Sequence, residues 1–316
     1  MCRLNDLIDE GKCYEEVRRR RWPNGIHCPG CMSNRISKRG KNHRHPECRR
    51  YACQNCGKRF DDLTGTIFAG RRRPLQVWFA YLCLTGLNQS NRQIAQELGL
   101  DESGGQAMAD PLRGGILKRR PKVRMGGAVE CDEVHAAAGH KGRPDKIKGR
   151  APRRRRLKGA PGRGTLEKEK PPVFGMVERG GEVRIAMLED ARQETMRPLI
   201  EETIEPGTAV NTDEHVIYDA LPRWGHVRKS VCHRRGEHAR DEDGDGFHEV
   251  HVNTMEGFGS LSRSWLRPHR GISQGKLPIY LGFFEFVHNV RRRGRALLGA
   301  LLDTLLQPAA CPQNPL

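Results

Sequence analysis

The stretch VECDEVHAAAGHKG (residues 129–142) crowds three carboxylates, Glu130, Asp132 and Glu133, into four positions of what reads as a buried strand. A buried carboxylate is costly without a cation or dense hydrogen bonding, so each must be solvated, paired or holding metal. Outward from this stretch the pattern is of strands: KVRMGGAVECDEV from residue 123, then VFGMVER and EVRIAMLED, the last two joined by the hairpin signal Gly180-Gly181. QETMRPLIEETI (193–204) reads as a helix with Met196, Leu199, Ile200 and Ile204 on one face, stopped by Pro206-Gly207. TAVNTD (208–213) returns as a buried strand. The order β, β, β, α, β, α predicts an α/β fold, a ribonuclease H-like mixed sheet flanked by helices.

Such a skeleton carries its carboxylates on the first strand, the fourth strand and a late helix. Asp132 ends the first strand and Asp213 ends the strand after the helix. VNTMEGFGSLSRSWLR (252–267) is the place where an acid leads an amphipathic pattern, which makes Glu256 the third candidate. Asn253, also an oxygen ligand, is the runner-up, and Asn253 with Glu256 equally has the form of a capping box that needs no chemistry. Arg263 follows Glu256 by two helical turns, so a phosphate-holding base shares the face of the acid. Oxygen-only ligation by Asp132, Asp213 and Glu256 favours Mg2+ or Mn2+, and two such ions ~4 Å apart serve phosphodiester chemistry.

Upstream, Cys28-Pro-Gly-Cys31 and Cys53-Gln-Asn-Cys56 form two C-x2-C knuckles, the spacing of a closed tetrahedral Zn2+ site that is structural because no position is left for substrate. Cys48, His27, His43 and His45 are possible substitute ligands, expected to be bystanders. RRYACQNCGKRFDDLTGTIF (49–68) mixes basic and aromatic residues around the second knuckle, either to touch a phosphate backbone or only to anchor the ribbon. PLQVWFAYLCLTGL (74–87) and SNRQIAQELGL (90–100) read as helices with a turn at Gly99; Gly104 and Gly105 argue against a recognition helix after them. Helix-turn-helix and plain helical linker both stay open for this segment.

Lysine and arginine total 56 against 38 acids, a formal +18 that points to a polyanion, first of all nucleic acid. The runs RRRR (18–21), RRRP (71–74) and RRRR (153–156) share that sign, and 140–164 reads as a basic insertion beside Asp132. No long apolar run exists, so no membrane is expected. DEDGDGFHE (241–249) imitates a calcium loop, but its twelfth position is Val252, so an acidic loop before the late helix fits better. His135 and His140 stay unassigned, and LPIYLGFFEFVHNVRRRG (277–294) reads as an apolar helix closing the core and ending in base. The expected division is 1–70 with the ribbon, 71–122 helical, 123–300 catalytic, and 301–316 a tail.

WPNGIHCPGC, YACQNCGKRFDDLTGTIF, VECDEVHAAAGHKG, VNTDEHVIYDAL and HVNTMEGFGSLSRSWLR, in this order, resemble bacterial insertion-sequence transposases with a zinc ribbon ahead of a DDE-type catalytic domain, over roughly residues 13 to 293. The resemblance implies cutting at terminal inverted repeats and joining of the freed 3′-hydroxyl to target DNA. By motif match it makes Asp132 and Asp213 the first and second catalytic aspartates, and it leaves the third position to Glu256 or Asn253. It also implies double-stranded DNA as partner, a homo-oligomer on that DNA, and a cytoplasmic, nucleoid-associated setting. Two departures stand out: Arg263 where members usually have lysine, and Val134-His135 with alanines where they usually have a Thr-Tyr-like pair and two glycines. The alternative from another class is a non-catalytic zinc-ribbon DNA-binding protein derived from such a transposase.

Overall fold

The computed structural model describes residues 8–146, 165–167, 169–269 and 271–307. They fall into two compact units, one made of the chain up to Arg120 and from Arg293 onward, the other of Pro121–Arg292. Of the basic insertion 140–164, residues 147–164 lie outside the described residues.

The first unit opens with α1 (Glu10–Arg21) and a three-stranded antiparallel sheet, β1 (Ile36–Lys41), β2 (Arg49–Cys53) and β3 (Arg59–Asp61), in that order. Asp62, fully buried, ties helix to sheet: its carboxylate accepts from Arg18 Nη1 at 2.9 Å, Arg49 N at 2.7 Å and Tyr51 Oη at 3.0 Å. The rest of the 18–21 run is engaged in the same way, Arg19 and Arg20 on Glu16, Arg20 also on Asp303, and Arg21 on the carbonyls of Asp62 and Thr64. A run that composition assigns to a polyanion is therefore committed to internal pairs.

Glu10 receives the amides of Leu75 and Gln76 at 2.9 and 2.7 Å, and so caps α2 (Leu75–Gly86), which starts after Pro74 without a side-chain cap of its own. Next come α3 (Asn91–Leu98), with a Ser90/Gln93 capping box and left-handed Gly99 at its end, and α4 (Glu102–Arg119). Gly104 and Gly105, poor helix formers by propensity, lie within a helix all the same, since α4 runs through both and through Pro111. Packing outweighs propensity here: a Cβ on Gly105 would meet Ala95 Cβ at 3.0 Å, and one on Gly115 would meet Leu305 at 2.8 Å.

The second unit begins with β4 (Val129–His135), β5 (Pro172–Glu178) and β6 (Val183–Met187), followed by α5 (Gln193–Thr203) and β7 (Ala209–Thr212). A 3₁₀ segment (Val216–Trp224) leads to β8 (Val227–Ser230), and the short pair β9 (Ala239–Arg240) and β10 (Val250–His251) precedes α6 (Asn253–Leu266) and α7 (Leu277–Arg292). The sheet order is β6-β5-β4-β7-β8, with the first two pairings antiparallel and the last two parallel. This is the mixed sheet expected of a ribonuclease H-like fold. Strand β8 was not legible, because VRKS is short, polar and nowhere fully buried.

One face of β4 and β7 enters the core through Val129, Cys131 and Val210, against Ile200, Ile204 and Leu221. The free edge of β6 is closed by α7: Glu285 accepts from Ile185 N at 2.9 Å, and Asn289 exchanges two bonds with the backbone of Val183 at 2.9 Å each. Side chains one helical turn apart thus cover this edge of the sheet. Finally α8 (Leu297–Leu306) belongs to the first unit, and residues 301–306 of the expected tail are helical because Leu301, Leu302 and Leu305 are buried there. Among the described residues no helix is long and apolar enough to cross a membrane.

Candidate active site and metal centre

Strand parity sorts the opening carboxylates. Side chains alternate along β4, so Glu130 and Asp132 leave the face opposite Cys131, and Val134 follows them. That face is where α6 packs. A Cβ on Gly175, the β5 partner of Asp132, would stand 2.1 Å from Met255 Cε, and a Cβ on Gly259 would stand 2.8 Å from Val134 Cγ1. The two glycines let the helix lie close to β4 and β5, which fixes where Glu256 hangs.

Glu130 holds that helix by its end. It is fully buried, and its Oε2 accepts from Met255 N at 2.9 Å, while Oε1 takes Arg179 Nε at 2.6 Å. Arg179 also donates to the carbonyls of Glu249 and His251, at 2.5 and 2.9 Å, and His251 Nδ1 stands 3.2 Å from Glu130. Glu130 thus does the work of a cap from another element, with negative charge at the positive end of α6. The capping box read from Asn253 and Glu256 does not form: the cap residue is Val252, without a side-chain bond, and Asn253 is the first residue of the helix and exposed. Removing the carboxylate strands Arg179 and frees the α6 terminus, so Glu130→Ala is expected to cost about 3–5 kcal/mol of stability, measured by urea denaturation.

Asp213 follows directly on β7. The parallel register pairs Val129 with Val210 and Glu130 with Asn211, and continued in step it sets Asp132 level with Asp213 just beyond the carboxyl end of β7. Asp132 does not end the first strand as expected: β4 runs on to His135 because β5 pairs with it that far, so Asp132 lies at its middle. The Asp213 Oδ1 accepts from His215 N at 3.0 Å, and Arg228 of β8 donates to the carbonyls of Asp213 and His215, at 3.2 Å each, bracing the turn. Burial pushes the Asp132 carboxyl up to about 7; the Glu133 amide opposes this, and the charges of Glu133, Asp213 and Glu256 add to it. The charges of Asp213 and Glu256 therefore act on the same carboxyl.

Glu256 is 53% exposed, with His233 Nδ1 at 3.8 Å from its Oε1. Arg263, two turns along, is exposed beside Gly259. Oxygens of Asp132, Asp213 and Glu256 do not close to within 4.8 Å of one another as a set. Like charges facing one another stay apart, and a pair of ions ~4 Å apart requires a wider spread than a single ion. The donors fit hard divalent cations: all oxygen, carboxylates, partly desolvated, and, among the described residues, without an arginine or lysine paired to Asp132. Sequence reasoning singled out Glu130 without choosing its role, which is the paired one, and it missed Arg179 and Arg228, for which no local signal existed.

The four cysteines do gather as their spacing requires. Their sulfurs lie within 4.8 Å of one another, with Cys28 to Cys56 and Cys31 to Cys53 at 3.6 Å. A tetrahedron of Zn–S bonds of ~2.3 Å has edges of ~3.8 Å, so the set fits zinc. The amide of Cys56 holds the Cys53 thiol down at about 6, which favours the thiolate a metal needs. At the second knuckle Gly57 takes the left-handed conformation (φ 73°), whereas at the first it is Met32 (φ 58°) and not Gly30. Cys48 is buried outside the set, and His27, His43 and His45 are not part of it. Asp241, Asp243 and Glu249 also bring oxygens within 4.8 Å in an exposed loop, held by Asx-type bonds to Gly244 and Gly246.

Residues 125–289 match the family described as ISXO2-like transposase domain. A curated relative, "Uncharacterized protein in transposable element ISH50" of Halobacterium salinarum, is 32% identical over 314 residues, spanning 97% of this chain and 100% of the relative. Among solved structures, a chain of the simian T-cell lymphotropic virus intasome in complex with PP2A regulatory subunit B56 gamma aligns over 75% of this chain and 76% of its own. The identity is 10% and the TM-score 0.29, too low to bear on fold or function.

Proposed function

Because the chain belongs to the family of ISXO2-like transposase domains, we propose that it catalyses divalent-metal-dependent DNA cleavage at the ends of an insertion sequence and transfer of the freed strand into target DNA. The observation that carries this reading is the register that sets Asp132 level with Asp213, with the Asp132 carboxyl pushed up by burial and by the charges of Glu133, Asp213 and Glu256 and, among the described residues, in no salt bridge of its own. A structural carboxylate in such a position would be paired, as Glu130 is with Arg179.

In this reading Asp132, Asp213 and Glu256 hold Mg2+ or Mn2+. When bound, the ions would activate the attacking oxygen and stabilise the leaving one at the scissile phosphate. Asp132 and Asp213, fixed by adjacent strands, present oxygens from a rigid floor. Glu256 presents its own from α6, set by the Glu130 bond to Met255 N. Arg263 stands on the same helix, where its guanidinium would hold a non-bridging phosphate oxygen. Asn253 is exposed at the helix start and remains the alternative oxygen donor. The DNA partners would be the terminal inverted repeats and the target, bound by a homo-oligomer in the cytoplasm at the nucleoid, with the ribbon and helices of the first unit contributing to DNA contact.

The test is a supercoiled plasmid carrying the element ends, incubated with magnesium and either the parent or Asp213→Asn protein. Joined strand-transfer products from the parent alone are expected. Equal products from both would remove the enzyme reading and leave a DNA-binding protein.

A further inference from the structure

The arginine run in α1 is spent on internal pairs, so the excess of basic charge must meet DNA elsewhere. Strand register shows one place. Tyr51 of β2 pairs with Phe60 of β3, and both side chains turn inward with Cys28 and Cys53 against Trp22, Ile26 and Ile36. Residues of opposite parity, Arg50 and Ala52 on β2 and Arg59 and Asp61 on β3, must therefore face outward. Arg39 of β1 joins them, and Arg39, Arg50 and Arg59 line one shallow groove of about 400 Å³ with Thr64.

All three arginines are exposed, and among the described residues none of their side chains has an ion pair or hydrogen bond, unlike those of Arg18, Arg19, Arg20 and Arg21. The acid in the groove offsets one charge of the three and is engaged in the turn after β3, where Asp61 Oδ1 accepts from Leu63 N at 3.0 Å and Thr64 Oγ1 at 2.7 Å. Three free guanidiniums converge on a rigid sheet face behind which a four-cysteine site sets the strands. Guanidinium planes match phosphate oxygens in pairs, and phosphate contacts of this kind position a duplex without reading its sequence.

We infer that the outer face of the ribbon sheet docks the phosphate backbone of duplex DNA through Arg39, Arg50 and Arg59. The inference rests on the transposase reading for its choice of DNA, and it assigns that reading a contact surface. Each phosphate contact releases condensed counterions, so the three together are expected to supply about 2 to 3 units of the slope of log K against log salt.

Fluorescence anisotropy with a random-sequence duplex, in a salt series, tests this on the full zinc-loaded chain. The Arg39→Ala, Arg50→Ala, Arg59→Ala triple variant is expected to lose that part of the slope and to bind more weakly at every salt concentration. The triple lysine variant is expected to retain the slope. Zinc content by metal analysis controls for folding; if the triple variant loses zinc, Arg50→Ala and Arg59→Ala taken singly are each expected to lower the slope by about 1. A parental slope in the zinc-loaded alanine variants, or a loss confined to RNA, overturns the inference. Asp132→Asn protein separates the two claims, since it should keep the parental slope while losing strand transfer. A groove effect without any parental strand transfer would sink the enzyme reading and leave the docking face standing.

Discussion

In chelated buffer at about pH 8 the Asp132→Asn protein is expected to be more stable than the parent, and with magnesium restored it is expected to be inactive. The folded carboxyl sits at about 7 against an ordinary 3.8, because burial and the neighbouring acids Glu133, Asp213 and Glu256 disfavour its charged form. At ~1.36 kcal/mol per unit the difference amounts to at most roughly 4 kcal/mol. The sign follows from proton binding: the native state holds the proton that the unfolded chain has released, so parental stability falls as pH rises from 3.8 to about 7 and is flat above. The amide variant has no such window. Differential scanning calorimetry across that range reads the gap, which should close when Mg2+ or Mn2+ is added to the parent. Loss of one ligand should slow strand transfer about 10³-fold or more, the equivalent of several kcal/mol of transition-state stabilisation. A variant less stable than the parent at every pH would mean that Asp132 is an ordinary structural acid.

Removing zinc is expected to unfold the ribbon outright. Its apolar cluster comprises Cys28, Tyr51, Cys53 and Phe60 with a few partly buried neighbours, and two of these residues are the ligands themselves. So small a core cannot offset chain entropy, whereas a structural zinc site contributes about 10–16 kcal/mol in isolated ribbon-sized peptides. One zinc per chain is expected by metal analysis, and Cys53→Ser or a strong chelator should expose 26–68 to protease. The Pro121–Arg292 unit has its own core and should keep its response to divalent cations at Asp132. A ribbon that resists protease after zinc is gone would show that packing and the Asp62 anchor suffice.

The sheet of the second unit was legible because β5 is an apolar run, β6 follows it across the Gly180-Gly181 turn, and α5 carries its apolar residues at helical spacing. The four cysteines were legible because tetrahedral ligation imposes its own spacing. What stayed hidden depends on distant partners. VRKS becomes β8 only because β7 offers it an edge, and α4 survives four glycines and a proline only because α3 and α8 pack on it. Glu130 beside Asp132 read equally as solvated, paired or metal-holding; it is paired, and its partners, Arg179 and Met255 N, lie far along the chain. The RRRR run misled because composition cannot distinguish a charge that is free from one already paired. Arg18 sits on Asp62, whereas isolated Arg50 and Arg59 point to open solvent.

Calorimetric titration of the zinc-loaded protein with Mn2+ addresses the carboxylates directly. Saturable binding is expected in the parent, and it should be lost or weakened at least tenfold in Asp132→Asn, in Asp213→Asn and in Glu256→Gln, each folded by its thermal transition. Binding curves that coincide for the parent and all three variants would contradict a shared cation site on β4, β7 and α6.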